Sequence, residues 1–96
     1  MILIVDSGST KSDWLAVDNN GNRLMEKIRT KGLNPAILSE KKLSKTIKKS
    51  KELSENSNAV THVFFYGAGC GTENPRMLLK EVLEEIFPRK TSIFAA

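Results

Sequence analysis

Ninety-six residues provide for a single domain, and at that size only about two thirds of the extended-chain surface can be buried. One cysteine, Cys70, excludes an intrachain disulfide and a cysteine-rich zinc site. The formal charge is +4, but six of the lysines fall between Lys41 and Lys51 with no aromatic residue among them, a pattern of a solvated helix face that argues against a single-strand nucleic-acid surface.

The chain opens in an apolar strand without a basic leader, a cleavage site or an apolar run of membrane-spanning length. A soluble, unprocessed, cytoplasmic protein is expected, and the lone thiol fits a reducing compartment. Ile2 to Val5 is apolar at every position, which predicts a central strand covered on both faces. Residues 6 to 12, Asp-Ser-Gly-Ser-Thr-Lys-Ser, then predict a tight polar hairpin into a second strand over 12–18. Small residues there let backbone N–H groups approach an anion, while Ser9, Thr10 and Lys11 add hydroxyls and a positive charge. Asp6, at the carboxyl end of the first strand, could hold a hydrated divalent cation beside that anion. The set suits a nucleoside triphosphate with Mg²⁺ and differs from a Walker loop, which ends Gly-Lys-Ser/Thr and opens a helix.

The run Asp18 to Asn22 signals a turn, with Asn20-Gly21 tolerating positive φ. Residues 23–30 return as a third, half-exposed edge strand carrying Arg23, Lys27 and Arg29. A lightly apolar helix is predicted from Leu38 to about Ser54, capped by Ser39. Ala59 to Tyr66 predicts the fourth strand, with Val63-Phe64-Phe65-Tyr66 buried. Gly67, Gly69 and Gly71 form a loop whose backbone must pass close to a ligand or to the neighbouring hairpin. Asn74-Pro75 predicts the cap and first residue of a second helix, striped by Leu78, Leu79, Val82, Leu83 and Ile86 and ended by Phe87-Pro88. Thr91 to Ala95 has the composition of a fifth strand. Trp14 is expected to pack on the sheet, Cys70 to act as a small filler, and His62 to be structural.

Asp6, Gly8 and Thr10 match the Asp-x-Gly-x-Thr pattern of the phosphate-binding hairpin in the actin-like ATPase and sugar kinase superfamily. With Gly32-Leu33-Asn34-Pro35, Gly67-Ala68-Gly69-Cys70-Gly71 and the order of elements, the chain resembles the N-acetylglucosamine kinase and BadF/BadG-type ATPase family from Met1 to Ala96. The resemblance implies an α/β, ribonuclease H-like half-domain: a five-stranded mixed sheet with two helices, its closing helix missing. Family members are several times longer and have two such lobes, so it also implies a truncated amino-terminal lobe that is inactive alone. ATP and Mg²⁺ are the implied cofactors. Gly8, Ser9, Thr10 and Lys11 would meet the phosphates, Asp6 the Mg²⁺ through water, and Asn34 and Gly67 the sugar. The implied catalytic base is an aspartate just past Ala96, so no catalytic residue is expected within the chain. A small-molecule sugar is the implied partner, without nucleic acid or membrane, and a homodimer is a candidate assembly of the full-length protein. Ser7 and Ser9 stand where many sugar kinases have glycine.

Other readings remain. An activator of a radical dehydratase would need cluster-ligating cysteines outside this piece. A ribonuclease H-type enzyme wants an acid at the end of the fourth strand, where Tyr66-Gly67 stands. A non-kinase actin-like ATPase shares the hairpin but not the Asn34-Pro35 loop. A kinase for N-acetylglucosamine or a related amino sugar is the preferred expectation.

Overall fold

Strand β1 (Ile2–Ser7) sits at the centre of the sheet, and its side chains alternate: Leu3, Val5 and Ser7 are buried, whereas Ile4 and Asp6 are exposed. The computed structural model describes residues 1–88 and 91–96. After β1 come β2 (Lys11–Val17), β3 (Ile28–Lys31), α1 (Glu40–Lys48), α2 (Lys51–Glu55), a 3₁₀ turn (Ser57–Ala59), β4 (His62–Gly67), α3 (Glu73–Ile86) and β5 (Ser92–Ala95). The sheet order is β3-β2-β1-β4-β5. The first three strands form an antiparallel meander, and β4 and β5 join in parallel through the helical connections.

The hydrophobic core lies between one face of this sheet and the helices. Leu3, Val5, Trp14, Val63 and Phe65 supply the sheet side, and Leu43, Ile47, Leu79, Val82 and Leu83 the helix side. Trp14 is fully buried, donates from Nε1 to Thr30 Oγ1 at 3.1 Å, and meets Phe87 at 6.5 Å between ring centroids. The expectation that β1 is covered on both faces is corrected, because among the described residues nothing lies over the opposite face. Ile4, Phe64, Tyr66 and Phe94 are 36–48% exposed there. The same geometry overturns the burial expected throughout Val63 to Tyr66: only Val63 and Phe65 face the helices.

Several element boundaries also move. The third strand is confined to Ile28–Lys31, and Arg23 makes only an isolated bridge to Val17. The turn at Asp18–Asn22 closes as expected: the Gly21 N–H donates to the Asp18 carbonyl at 3.1 Å and the Asp18 N–H to the Asn22 carbonyl at 2.9 Å, Gly21 takes φ 83°, and the Asp18 carboxylate accepts from the N–H groups of Asn20 and Asn22, both at 2.9 Å. Ser39 caps α1 as expected, accepting from the Lys42 N–H at 3.3 Å. Ser50 caps again, accepting from the Leu53 N–H at 3.4 Å, so the single predicted helix is two and the described helices are three, not two. A mid-helix serine offers the backbone an alternative partner, and here that alternative wins. Thr72, extended and two residues before Asn74, precedes α3. Pro75 therefore sits third in the helix, still within the turn whose N–H groups have no intrahelical acceptor. No described helix is long and apolar enough to cross a membrane.

Candidate phosphate and sugar site

The register Ser7↔Ser12 at the end of the β1–β2 ladder leaves Gly8, Ser9 and Thr10 to turn the chain. The Gly8 N–H closes that turn on the Lys11 carbonyl at 2.8 Å. Its donor is thus committed to the hairpin. The N–H groups and hydroxyls of Ser9 and Thr10 have no partner among the described residues, and both residues are exposed. Lys11 is exposed beside them. Four unused donors and an ammonium at one tip suit a phosphate chain.

Asp6 lies on the open face of the sheet, directly across the ladder from Asp13. Two carboxylates so placed repel each other. Asp13 is compensated: Arg29 Nε donates to its Oδ1 at 2.8 Å, and Lys27 Nζ lies 3.8 Å from Oδ2. The hydrogen bond from Arg29 is the main cause that holds the Asp13 carboxyl below its ordinary value. The Asp6 carboxylate has no hydrogen bond or ion pair with any described residue. Its oxygens are left for a cation, and among the described residues no group of three acidic, histidine or cysteine side chains gathers around it. These residues fit Mg²⁺ held mainly by phosphate oxygens and water, with one protein carboxylate beside them.

Two further loops are tied to the hairpin. The buried Ser7 hydroxyl shares a 2.7 Å hydrogen bond with Ser12 Oγ and accepts from the Leu33 N–H at 3.2 Å. The Gly32 N–H donates to the Thr10 carbonyl at 3.0 Å, and the Ala68 N–H to the Ser7 carbonyl at 3.0 Å. Gly67 packs where a β carbon would stand 2.6 Å from the Phe65 ring and 3.1 Å from Ser7 Cβ. The Phe65 ring and the end of β1 thus leave no room for a β carbon at this position. Gly69, at φ 85°, abuts the side chain of Asn34.

Asn34 is half-buried between those loops. Its Oδ1 accepts from the Ala36 N–H at 2.9 Å, and its carbonyl accepts from Ile37 and Leu38 at 3.1 and 2.9 Å. The turn thus takes the acceptor half of the amide, and Nδ2 has no partner among the described residues. Ser9, Thr10 and Asn34 border one cavity of about 870 Å³, within the usual range for small-molecule sites. No catalytic carboxylate is identified in it.

Cys70 is buried, and desolvation pushes its thiol up, away from the reactive thiolate. His62 stands exposed at the opposite end of β4 from the glycine loop, its ring 6.3 Å from that of Phe64. The hydrogen bonds of Ser7 to Ser12 and Leu33 and the Asp13–Arg29 pair escaped the sequence reading. The one available signal was the symmetric placing of Ser7 and Ser12 about the Gly8–Lys11 turn.

Neither a family model nor a curated protein matches the chain. A solved structure from Porphyromonas gingivalis, described as a "Putative N-acetylglucosamine Kinase", matches with a TM-score of 0.85 and 34% sequence identity. The match covers 100% of this chain and 34% of that one, so the chain spans about a third of its length. This likeness supports kinship with sugar kinases and does not extend to BadF/BadG-type ATPases in particular. The five-stranded mixed sheet and its helices have the α/β fold of the amino-terminal half of a sugar kinase of the actin-like ATPase type.

Proposed function

We propose that the chain is the phosphate-binding, amino-terminal lobe of an ATP-dependent kinase for N-acetylglucosamine or a related amino sugar, working in the cytoplasm. The observation that carries this reading is the shared cavity, which sets the unused donors of Ser9 and Thr10 beside the free amide donor of Asn34. Ser9 and Thr10 would bind the ATP phosphates with Lys11 adding charge, Gly8 would shape the hairpin, and Asp6 would hold Mg²⁺ through water. Asn34 would donate to a sugar hydroxyl, with Gly67 keeping the adjoining loop close. In the transfer, a sugar oxygen bonds to the γ-phosphorus as the bond to the bridging oxygen of ADP breaks, and the sugar proton passes to a base. That base would come from sequence beyond Ala96.

The test is steady-state kinetics of the full-length protein. Thr10→Ala should strongly reduce ATP-dependent turnover with the fold intact. Asn34→Ala should raise the sugar KM by an amount equivalent to ~1–3 kcal/mol with little change in the ATP KM. The 96-residue chain alone should show no turnover. Unchanged kinetics for Thr10→Ala at saturating substrates would remove the assignment.

A further inference from the structure

The cavity beside Ser9, Thr10 and Asn34 is polar along most of its wall, and the two apolar side chains that line it are consecutive, Ile37 and Leu38. Leu38 is half-buried and packs on the core, whereas Ile37 is 75% exposed, more than any other large apolar residue among those described. Leu24 and Met77 are exposed as well, but neither borders the cavity, and single apolar residues on a surface call for no special account. Ile37 differs by its place.

The loop after β3 begins at the phosphate hairpin, where the Gly32 N–H donates to the Thr10 carbonyl at 3.0 Å, and its next turn carries both Asn34 and Ile37. The Asn34 carbonyl accepts from the Ile37 N–H at 3.1 Å and from the Leu38 N–H at 2.9 Å, while Oδ1 is held by the Ala36 N–H. A turn closed in this way keeps its first and fourth Cα atoms within about 7 Å. A sugar hydroxyl bound to Asn34 Nδ2 thus has its neighbouring substituent within reach of Ile37.

Asn34 alone does not read the amino position, because the hydroxyl it would serve is common to glucose, glucosamine and N-acylated glucosamine. Ile37 can read it. A protonated amine or a hydroxyl set against an alkyl side chain loses water and gains no partner. An acyl methyl set there removes apolar surface from water on both sides of the contact.

We infer that Ile37 is a specificity residue of the acceptor site, taking the methyl of an N-acyl group, so that the amino sugar is recognised in its acylated form and not as the free amine. That the ligand is a kinase acceptor rests on the function proposed above; the contact between Ile37 and the methyl is also tested without ATP.

N-acetylglucosamine, N-formylglucosamine, which lacks only the methyl, glucosamine and glucose isolate the contact. In steady-state kinetics of the full-length protein the acetyl sugar should exceed the formyl sugar about ten-fold in kcat/KM, the lower end of what one apolar carbon contributes, with glucosamine and glucose no better than the formyl sugar. In Ile37→Ser that acetyl-to-formyl ratio should fall to about unity through the KM of the acetyl sugar, and the KM values for the formyl sugar and ATP should not change. Ile37→Val should restore most of the ratio. The position is exposed, so the urea midpoint of Ile37→Ser should match that of the parent. Saturation-transfer NMR with N-acetylglucosamine and no nucleotide gives a second readout: the acetyl methyl should be saturated more strongly than the ring protons in the parent, and no more strongly in Ile37→Ser.

An acetyl-to-formyl ratio that Ile37→Ser leaves unchanged, a shift in the ATP KM, or a parent that prefers glucosamine or glucose would each overturn the inference. An equal loss for all the sugars would overturn it too, and would assign Ile37 to contact with the rest of the full-length protein. If Thr10→Ala leaves ATP turnover untouched while saturation of the acetyl methyl depends on Ile37, the kinase reading falls and the N-acyl contact stands. If ATP use depends on Thr10 and the ratio ignores Ile37, this inference falls alone.

Discussion

Gly69 lies against the side-chain amide of Asn34, so a β carbon at position 69 would occupy the space of Asn34 Oδ1. The loop after β4 thereby holds the residue that the loop after β3 presents to the cavity. Gly69→Ala should act twice. A left-handed φ costs an L-residue about 1–2 kcal/mol, read as a lower urea midpoint, and the displaced Asn34 should raise the sugar KM of the full-length protein as Asn34→Ala does. A loss of stability with no change in sugar KM would separate the two loops.

Ser7→Ala should remove the acceptor of the buried Leu33 N–H and the partner of Ser12. An unpaired buried donor costs about 1–3 kcal/mol. Chemical denaturation should show that loss, and amide exchange at Leu33 should quicken more than exchange within α3. Uniform acceleration across the chain would mean that Ser7 contributes only to global stability.

Arg29 holds the Asp13 carboxyl below its ordinary value of 3.8. A depressed carboxyl stabilises the fold above that ordinary value, and the contribution is lost as pH falls through the lower folded-state value. The pair is exposed, so its effect is small and salt-sensitive. Arg29→Ala should therefore lower the melting temperature slightly at pH 7 in low salt, and the difference from the parent chain should vanish as the solution is acidified well below pH 3.8. A difference that persists unchanged in strong acid would assign it to packing of the Arg29 stem.

Ile4, Phe64, Tyr66 and Phe94 form an apolar strip on the open sheet face, with Tyr66 and Phe94 rings 5.7 Å apart. The 96-residue chain should self-associate with rising concentration through this strip. Phe94→Thr should reduce the association seen by sedimentation without loss of the far-ultraviolet signal of the folded chain. Identical sedimentation of the two chains would place the contact elsewhere.

The hairpin, the element order, the Ser39 cap and the α3 stripe were legible because each depends on neighbours close in sequence. The uncovered sheet face was not. An unbroken apolar run such as Ile2 to Val5 or Val63 to Tyr66 is the same string whether one face or two is covered, and only the placement of the helices on one side decides it. Ser50 ended a helix that periodicity would have continued, because its hydroxyl competes locally with the backbone. In the site, the hairpin tip and Asn34 stood out by residue type. The tie from Ser7 to Leu33 and the contact of Gly69 with Asn34 depend on register between segments 26 and 35 residues apart, which no local pattern encodes.

The central position of β1 has a consequence for synthesis. Of the five described strands it is made first and can pair with β2 once Val17 emerges, but its other edge belongs to β4, which begins at His62. At roughly 5–20 residues per second that edge stays bare for several seconds on the ribosome, and an unpaired apolar strand edge is a template for wrong pairing. The segment made in the interval contains the six lysines from Lys41 to Lys51. Like charge of that density disfavours association between chains.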